Sequence, residues 1–145
     1  MEHGGKGPGA LVGAANFALV LGLARLLRPG AGGGSPLAAA FTQTNGWVLA
    51  AIVVASTTVI PLAEELFFRG WLMPAVRREV GDARVAVALS AAVFAMVHAG
   101  AAWAPALWAG LIAGALMQRS GRLATSLAMH VTNNTLVVLA VLLGR

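Results

Sequence analysis

Long apolar stretches and short polar breaks alternate along the whole chain. Hydrophobic runs cover about Ala10–Leu27, Trp47–Leu62, Ala83–His98, Trp103–Met117 and Leu123–Leu143, and a mixed stretch fills Ala63–Val80. None has the two-residue alternation of a barrel strand. A backbone in lipid must also satisfy its own hydrogen bonds, which a helix does within a single segment. The pattern therefore predicts an all-α fold, a polytopic transmembrane helical bundle of about five to six helices. Some runs fall short of the roughly 20 residues that cross a bilayer comfortably, so buried ends or re-entrant pieces are expected. Turn chemistry marks the boundaries. Arg28-Pro-Gly-Ala-Gly-Gly-Gly-Ser-Pro36 is a flexible linker, Asn45 and Asp82 can cap helices starting at Trp47 and Ala83, and Gly121 closes the helix that ends near Arg119.

Composition agrees with a membrane protein. Of 145 residues, 59% are hydrophobic and 10% charged, with mean hydropathy +0.81, whereas a soluble domain carries roughly a quarter charged residues. The absence of cysteine excludes disulfides, thiol nucleophiles and thiolate metal sites. The net charge of +5 comes from ten basic residues scattered along the chain, as membrane-flanking charge is, so no nucleic-acid partner is expected. Arg25 and Arg28 close the first apolar run before any small-residue cleavage pattern appears, which favours an uncleaved span over a signal peptide. If all five runs span, Lys6, Arg69, Arg77, Arg78, Arg84, Arg119 and Arg122 share one side, and Arg25, Arg28 and Arg145 the other. The excess of basic residues then puts the first group in the cytoplasm of a multi-pass cell-membrane protein.

Against this background two adjacent glutamates stand out, Glu64 and Glu65, with Arg69 following. An intramembrane carboxylate costs several kcal/mol by most estimates and marks a functional site by default. On a helix Glu65 and Arg69 lie four apart on one face, while Glu64 is rotated by about 100°. Arg69 can thus neutralise Glu65, leaving Glu64 to act on something else. Such a desolvated carboxylate suits a general base that activates water; two solvated glutamates at a helix end are the alternative. Pro61 either kinks this helix and frees the Thr57 carbonyl or marks a helix start. His98 ends an apolar run with Phe94 one turn back on the same face. His130 and Asn134, four apart inside the last run, present an imidazole and an amide together, and Asn133 lies near that face. Polar adhesion between helices is the competing explanation for the His130 cluster. Gly110 and Gly114 form a small-xxx-small pair for close helix approach, and Trp103 and Trp108 are interface anchors. Phe67, Phe68, Trp71 and Met73 are expected in lipid or core packing before a substrate groove.

Glu64-Glu65-xxx-Arg69, Phe94-xxx-His98 and His130-xxx-Asn134, in that order, resemble the three motifs of the CAAX-processing and bacteriocin-processing (CPBP) intramembrane proteases. The similarity runs from about Ala63 to Leu139. It implies N-terminal membrane helices and a Gly-rich linker over 1–62, and a catalytic core over 63–143. It further implies a membrane-embedded endopeptidase acting on a peptide or membrane-associated protein, of CAAX type or bacteriocin-processing type. By position, Glu64 would be the general base, His98 would orient or polarise the water, and His130 and Asn134 would stabilise the oxyanion. Glu65 and Arg69 would hold the first motif's geometry, with Phe94 packed beside the site. The family has been described both as metalloproteases and as glutamate-dependent enzymes. No metal is assigned from the sequence, although Glu64, His98 and His130 could form a three-ligand zinc site with an open position. Relatives commonly carry more helices before the first motif, so a partner or a second copy could complete the cavity. A non-catalytic scaffold or bacteriocin self-immunity protein, using the same polar cluster for packing, is the alternative function.

Overall fold

The computed structural model describes residues 7–27, 44–98 and 102–143. Lys6, Arg28, Arg145, the linker over 28–36 and the side chain of Arg25 lie outside the described residues. Five helices make up the described chain: α1 (Gly7–Leu27), α2 (Gly46–Val80), α3 (Ala83–Met96), α4 (Trp103–Ser120) and α5 (Leu123–Leu143). Among the described residues, α2 and α5 are long and apolar enough to cross a membrane.

The caps anticipated from sequence are in place. Asn45 accepts the Val48 N–H through its side chain at 3.0 Å, Asp82 accepts from Arg84 and Val85 at 2.6 and 3.2 Å, and Gly121 closes α4 in the left-handed region at φ 64°. Only glycine enters that region without strain.

The second apolar run differs from expectation. Instead of stopping near Leu62, α2 continues without a break through Pro61 and the mixed stretch for 35 residues. Two π-helical segments, Ala55–Val59 and Leu66–Leu72, absorb its two prolines. Ile60 gives its N–H to Ala55 O, five residues back, just before Pro61. Met73 does the same to Phe68 O just before Pro74. Widening the helix at these points accommodates residues that cannot donate. At the first site the Ser56 carbonyl loses its helical donor, because Ile60 has turned to Ala55 and Pro61 has no N–H. The Asn134 amide donates to it at 3.0 Å, joining α5 to α2.

Consecutive helices alternate in direction. Gly110 meets Ala91 and Gly114 meets Val87, so α3 and α4 run antiparallel at close approach, as the glycine pair suggested. In α1, Gly9 and Gly13 face the carbonyl oxygens of Thr125 and Met129, so α1 runs parallel to α5 with backbones nearly touching. A methyl group at either glycine would collide with those carbonyls, the geometry small residues permit between membrane helices. Arg77 donates to Gln118 at 3.1 Å near the ends of α2 and α4. Arg77, Arg78, Arg84, Arg119 and Arg122 thus gather at the end of the bundle where α2 and α4 finish and α3 and α5 begin. Trp47 and Trp103 begin α2 and α4 at the opposite end, 88% and 49% exposed, and Trp108 is also exposed. Trp71 lies about 36 Å along α2 from Trp47. That distance matches two interfacial belts flanking a hydrocarbon layer of about 30 Å.

At the centre Phe68, Phe94, Ala95 and Ala106 form a buried apolar cluster. Phe68 meets Phe94 edge to face at 5.0 Å. Phe68 and Met73 are core residues, whereas Phe67 and Trp71 are exposed on the outer surface of α2.

Candidate active site

The site begins with a buried charge. Glu65 and Arg69, one turn apart on α2, are almost completely inaccessible and pair at 2.9 Å. A lone ion here would be strongly disfavoured, so both must be satisfied locally. Arg69 also donates to the Gly110 carbonyl of α4 at 3.1 Å, and its guanidinium lies 4.8 Å from the centroid of the Phe94 ring. Gly110 therefore has a second task beyond close packing: it leaves its carbonyl reachable by Arg69.

His130 of α5 completes the group. Its Nδ1 lies 3.0 Å from the same Glu65 oxygen that Arg69 holds. Opposite an arginine-paired carboxylate, Nδ1 is the donor, which fixes the ring and turns Nε2 away from Glu65. Nε2 faces the Glu64 carboxylate at 3.5 Å. That is longer than a normal hydrogen bond. Glu64 is partly exposed, with 22% of its side chain accessible. Adjacent glutamates thus have different surroundings, as their rotation about α2 predicted: Glu65 is locked in the core and Glu64 stands at its border.

His98 follows the same rule with a different partner. Its Nδ1 is 2.7 Å from the Phe94 carbonyl, so Nδ1–H donates. The His98 and His130 rings both pack on Phe94, at centroid distances of 4.6 and 5.8 Å. α3 ends at Met96, and His98 sits in the following turn with its backbone N–H on Ala95 O at 3.0 Å.

A cavity of about 370 Å³ lies against these groups, lined by α1, α4, α5 and the end of α3. Its polar lining comes from His98, His130, Asn133, Asn134 and Asn16, and the rest of the wall is largely apolar. Three of the four proposed catalytic residues therefore share one cavity. Glu64 is not among the lining residues and reaches the site through His130. The Asn134 amide spends one hydrogen on Ser56 O. Phe67, Phe68, Trp71 and Met73 do not line the cavity.

Among the described residues no three His, Asp or Glu side chains gather in a group able to hold a metal ion. The zinc set of Glu64, His98 and His130 accordingly does not fit this arrangement. Two features were not anticipated from sequence. The first is the Glu65–His130 contact across 65 residues. The second is Asn16, 4% exposed, which donates to Asn133 at 2.8 Å. Its signal was a single amide inside an apolar run, in register with Gly9 and Gly13.

Comparison with curated proteins and with solved structures gives no match. Residues 45–136 match the family described as type II CAAX prenyl endopeptidase Rce1-like, a match that includes all three motifs. The chain belongs to this Rce1-like family of membrane-embedded CAAX-type proteases.

Proposed function

We propose that the protein is an intramembrane endopeptidase in which Glu64 activates water for attack on a peptide carbonyl. The observation that carries this is the Arg69–Glu65–His130 chain, which ends with His130 Nε2 facing Glu64 beside a cavity that also receives His98 and Asn134. Glu64 takes a proton from water as its oxygen bonds to the scissile carbon. The oxygen of that carbonyl becomes an oxyanion held by the Nε2–H of His130 in its doubly protonated form, with Nδ1–H still on Glu65, and by the second hydrogen of the Asn134 amide. Collapse breaks the C–N bond, the proton on Glu64 passes to the leaving amine, and an acid and an amine depart. His98, held through Nδ1, offers the Nε2 lone pair to orient the water.

Electrostatic stabilisation of this kind depends on donors fixed in advance in a site that excludes bulk water. Glu65 and Arg69 supply the fixing, and Phe94 holds both imidazoles against one ring. In this division the motif-bearing chemistry lies within 63–143, and α1 closes the cavity. The substrate is a peptide or membrane-associated protein entering from the lipid bilayer, in a multi-pass protein of the cell membrane.

The test is cleavage of a fluorogenic CAAX-type peptide library by detergent-purified protein, with and without chelator, beside His98→Ala and His130→Ala. Loss of cleavage in both variants at unchanged helicity is expected. Cleavage by the histidine variants at the wild-type rate would overturn the assignment. A scaffold or immunity role using the cluster for packing instead predicts no cleavage by any form and a lower melting temperature in both variants.

A further inference from the structure

We infer that Asn133 is a second amide donor to the reacting carbonyl, and that Asn16 of α1 is the residue that positions it. The inference rests on the proteolytic reading above and extends it to a helix outside the matched residues 45–136.

The starting point is how the two neighbouring amides are used. Asn134 donates to Ser56 O, a carbonyl that Pro61 deprives of its helical partner. That side chain is therefore a brace between α5 and α2 as well as a group on the cavity wall. Asn133, three residues after His130, also lines the cavity. It further borders a small void of about 10 Å³ next to Glu65, Arg69 and His130. Its Oδ1 accepts the Asn16 Nδ2–H at 2.8 Å, and its own Nδ2 has no hydrogen-bond partner among the described residues.

An amide is planar, so fixing Oδ1 fixes the direction of the two Nδ2 hydrogens. A hydrogen bond accepted at Oδ1 also polarises the N–H groups on the other side. Asn16 is 4% exposed and is itself held in place, because Gly9 and Gly13 let α1 lie directly against the α5 backbone below it. The result is a prepositioned neutral donor on the wall that carries His130, which is what stabilisation of a developing oxyanion requires. Ordinary helix adhesion would need the Asn16–Asn133 bond. It would not need the unused Nδ2 or the place on the cavity wall.

Four variants separate the two roles when kcat and KM are measured on the cleaved peptide and melting temperature is followed in detergent. Asn133→Asp keeps the acceptor that holds Asn16 but has no N–H. It is expected to keep the α1 contact while kcat falls about 100-fold, with KM changed less than about threefold. Asn133→Leu should match that loss. Asn16→Leu leaves the donor in place but unaligned, and should lower kcat about tenfold. The double variant Asn16→Leu/Asn133→Leu should be no slower than Asn133→Leu alone, because Asn16 acts only through Asn133. If Asn133→Leu fails to fold, Asn133→Asp and Asn16→Leu decide the matter. Asn133→Asp with wild-type kcat, or losses that multiply in the double variant, would overturn the inference while leaving the protease reading intact. No cleavage by the wild-type protein removes that reading and this inference with it.

Discussion

The most consequential contact involves the oxygen Glu65 Oε1, which lies within 3.0 Å of both an Arg69 nitrogen and His130 Nδ1. The positive charge of Arg69 thereby fixes the orientation of an imidazole on another helix. Removing Arg69 alone leaves an uncompensated buried carboxylate, so Arg69→Met should cost about 3–5 kcal/mol of stability in thermal unfolding. The double variant Glu65→Leu/Arg69→Met should recover much of that stability but little activity, because His130 loses the acceptor that holds Nδ1. Recovery of both would mean that the pair only packs. The Glu65–Arg69 pairing was legible in the sequence, since four residues on a helix bring side chains together. The contact with His130 was not, because nothing local relates positions 65 and 130.

Prolines and glycines decide how the elements behave. Pro61 keeps α2 in its wider wind and leaves Ser56 O for Asn134. Pro61→Ala would let a normal helical N–H reach back into this turn and compete with Asn134. The expected outcome is unchanged or higher melting temperature with reduced cleavage, and unchanged cleavage would remove Asn134's brace from the account. In α1, Gly13→Leu forces a side chain against the Met129 carbonyl. It should destabilise by about 1–3 kcal/mol and detach Asn16 from Asn133, read as a lower melting temperature. At the α2–α3 turn, the Val85 and Arg84 backbone N–H groups hold the Asp82 carboxyl below its usual range. A carboxyl depressed in the folded state stabilises it above the unfolded value of about 3.9, and that contribution fades as pH falls through the folded value. The melting-temperature gap between wild type and Asp82→Ala should therefore be present at pH 7 and shrink below about pH 4. Caps at Asn45, Asp82 and Gly121 could be read in advance because their chemistry is local. The continuity of α2 could not, since it depends on π-helical turns that absorb Pro61 and Pro74. The α1 docking signal was present in the four-residue spacing of Gly9 and Gly13, but its partner helix was not specified by it.

Across the whole molecule, charge and aromatic placement give an orientation that can be measured. The chain has no cysteine, so single cysteines report sidedness without background. Gly46→Cys, where a side chain meets nothing within 4 Å, marks the Trp47 end, and Ser120→Cys marks the arginine-rich end. An impermeant maleimide should label Gly46→Cys from outside intact cells and Ser120→Cys only in inverted vesicles; the reverse pattern would invert the topology. The all-helical bundle and the three motifs were legible because lipid enforces helices and charge is rare within them. The cavity was not, since it is made where α1, which carries none of the motifs, meets α4 and α5. In the proposed mechanism this organisation serves one carboxylate, Glu64, which faces His130. The most direct test is the single-turnover cleavage rate of Glu64→Gln beside wild type on one cleaved peptide. A loss of at least about 1,000-fold at equal melting temperature is predicted, and cleavage within about tenfold of wild type would contradict the account.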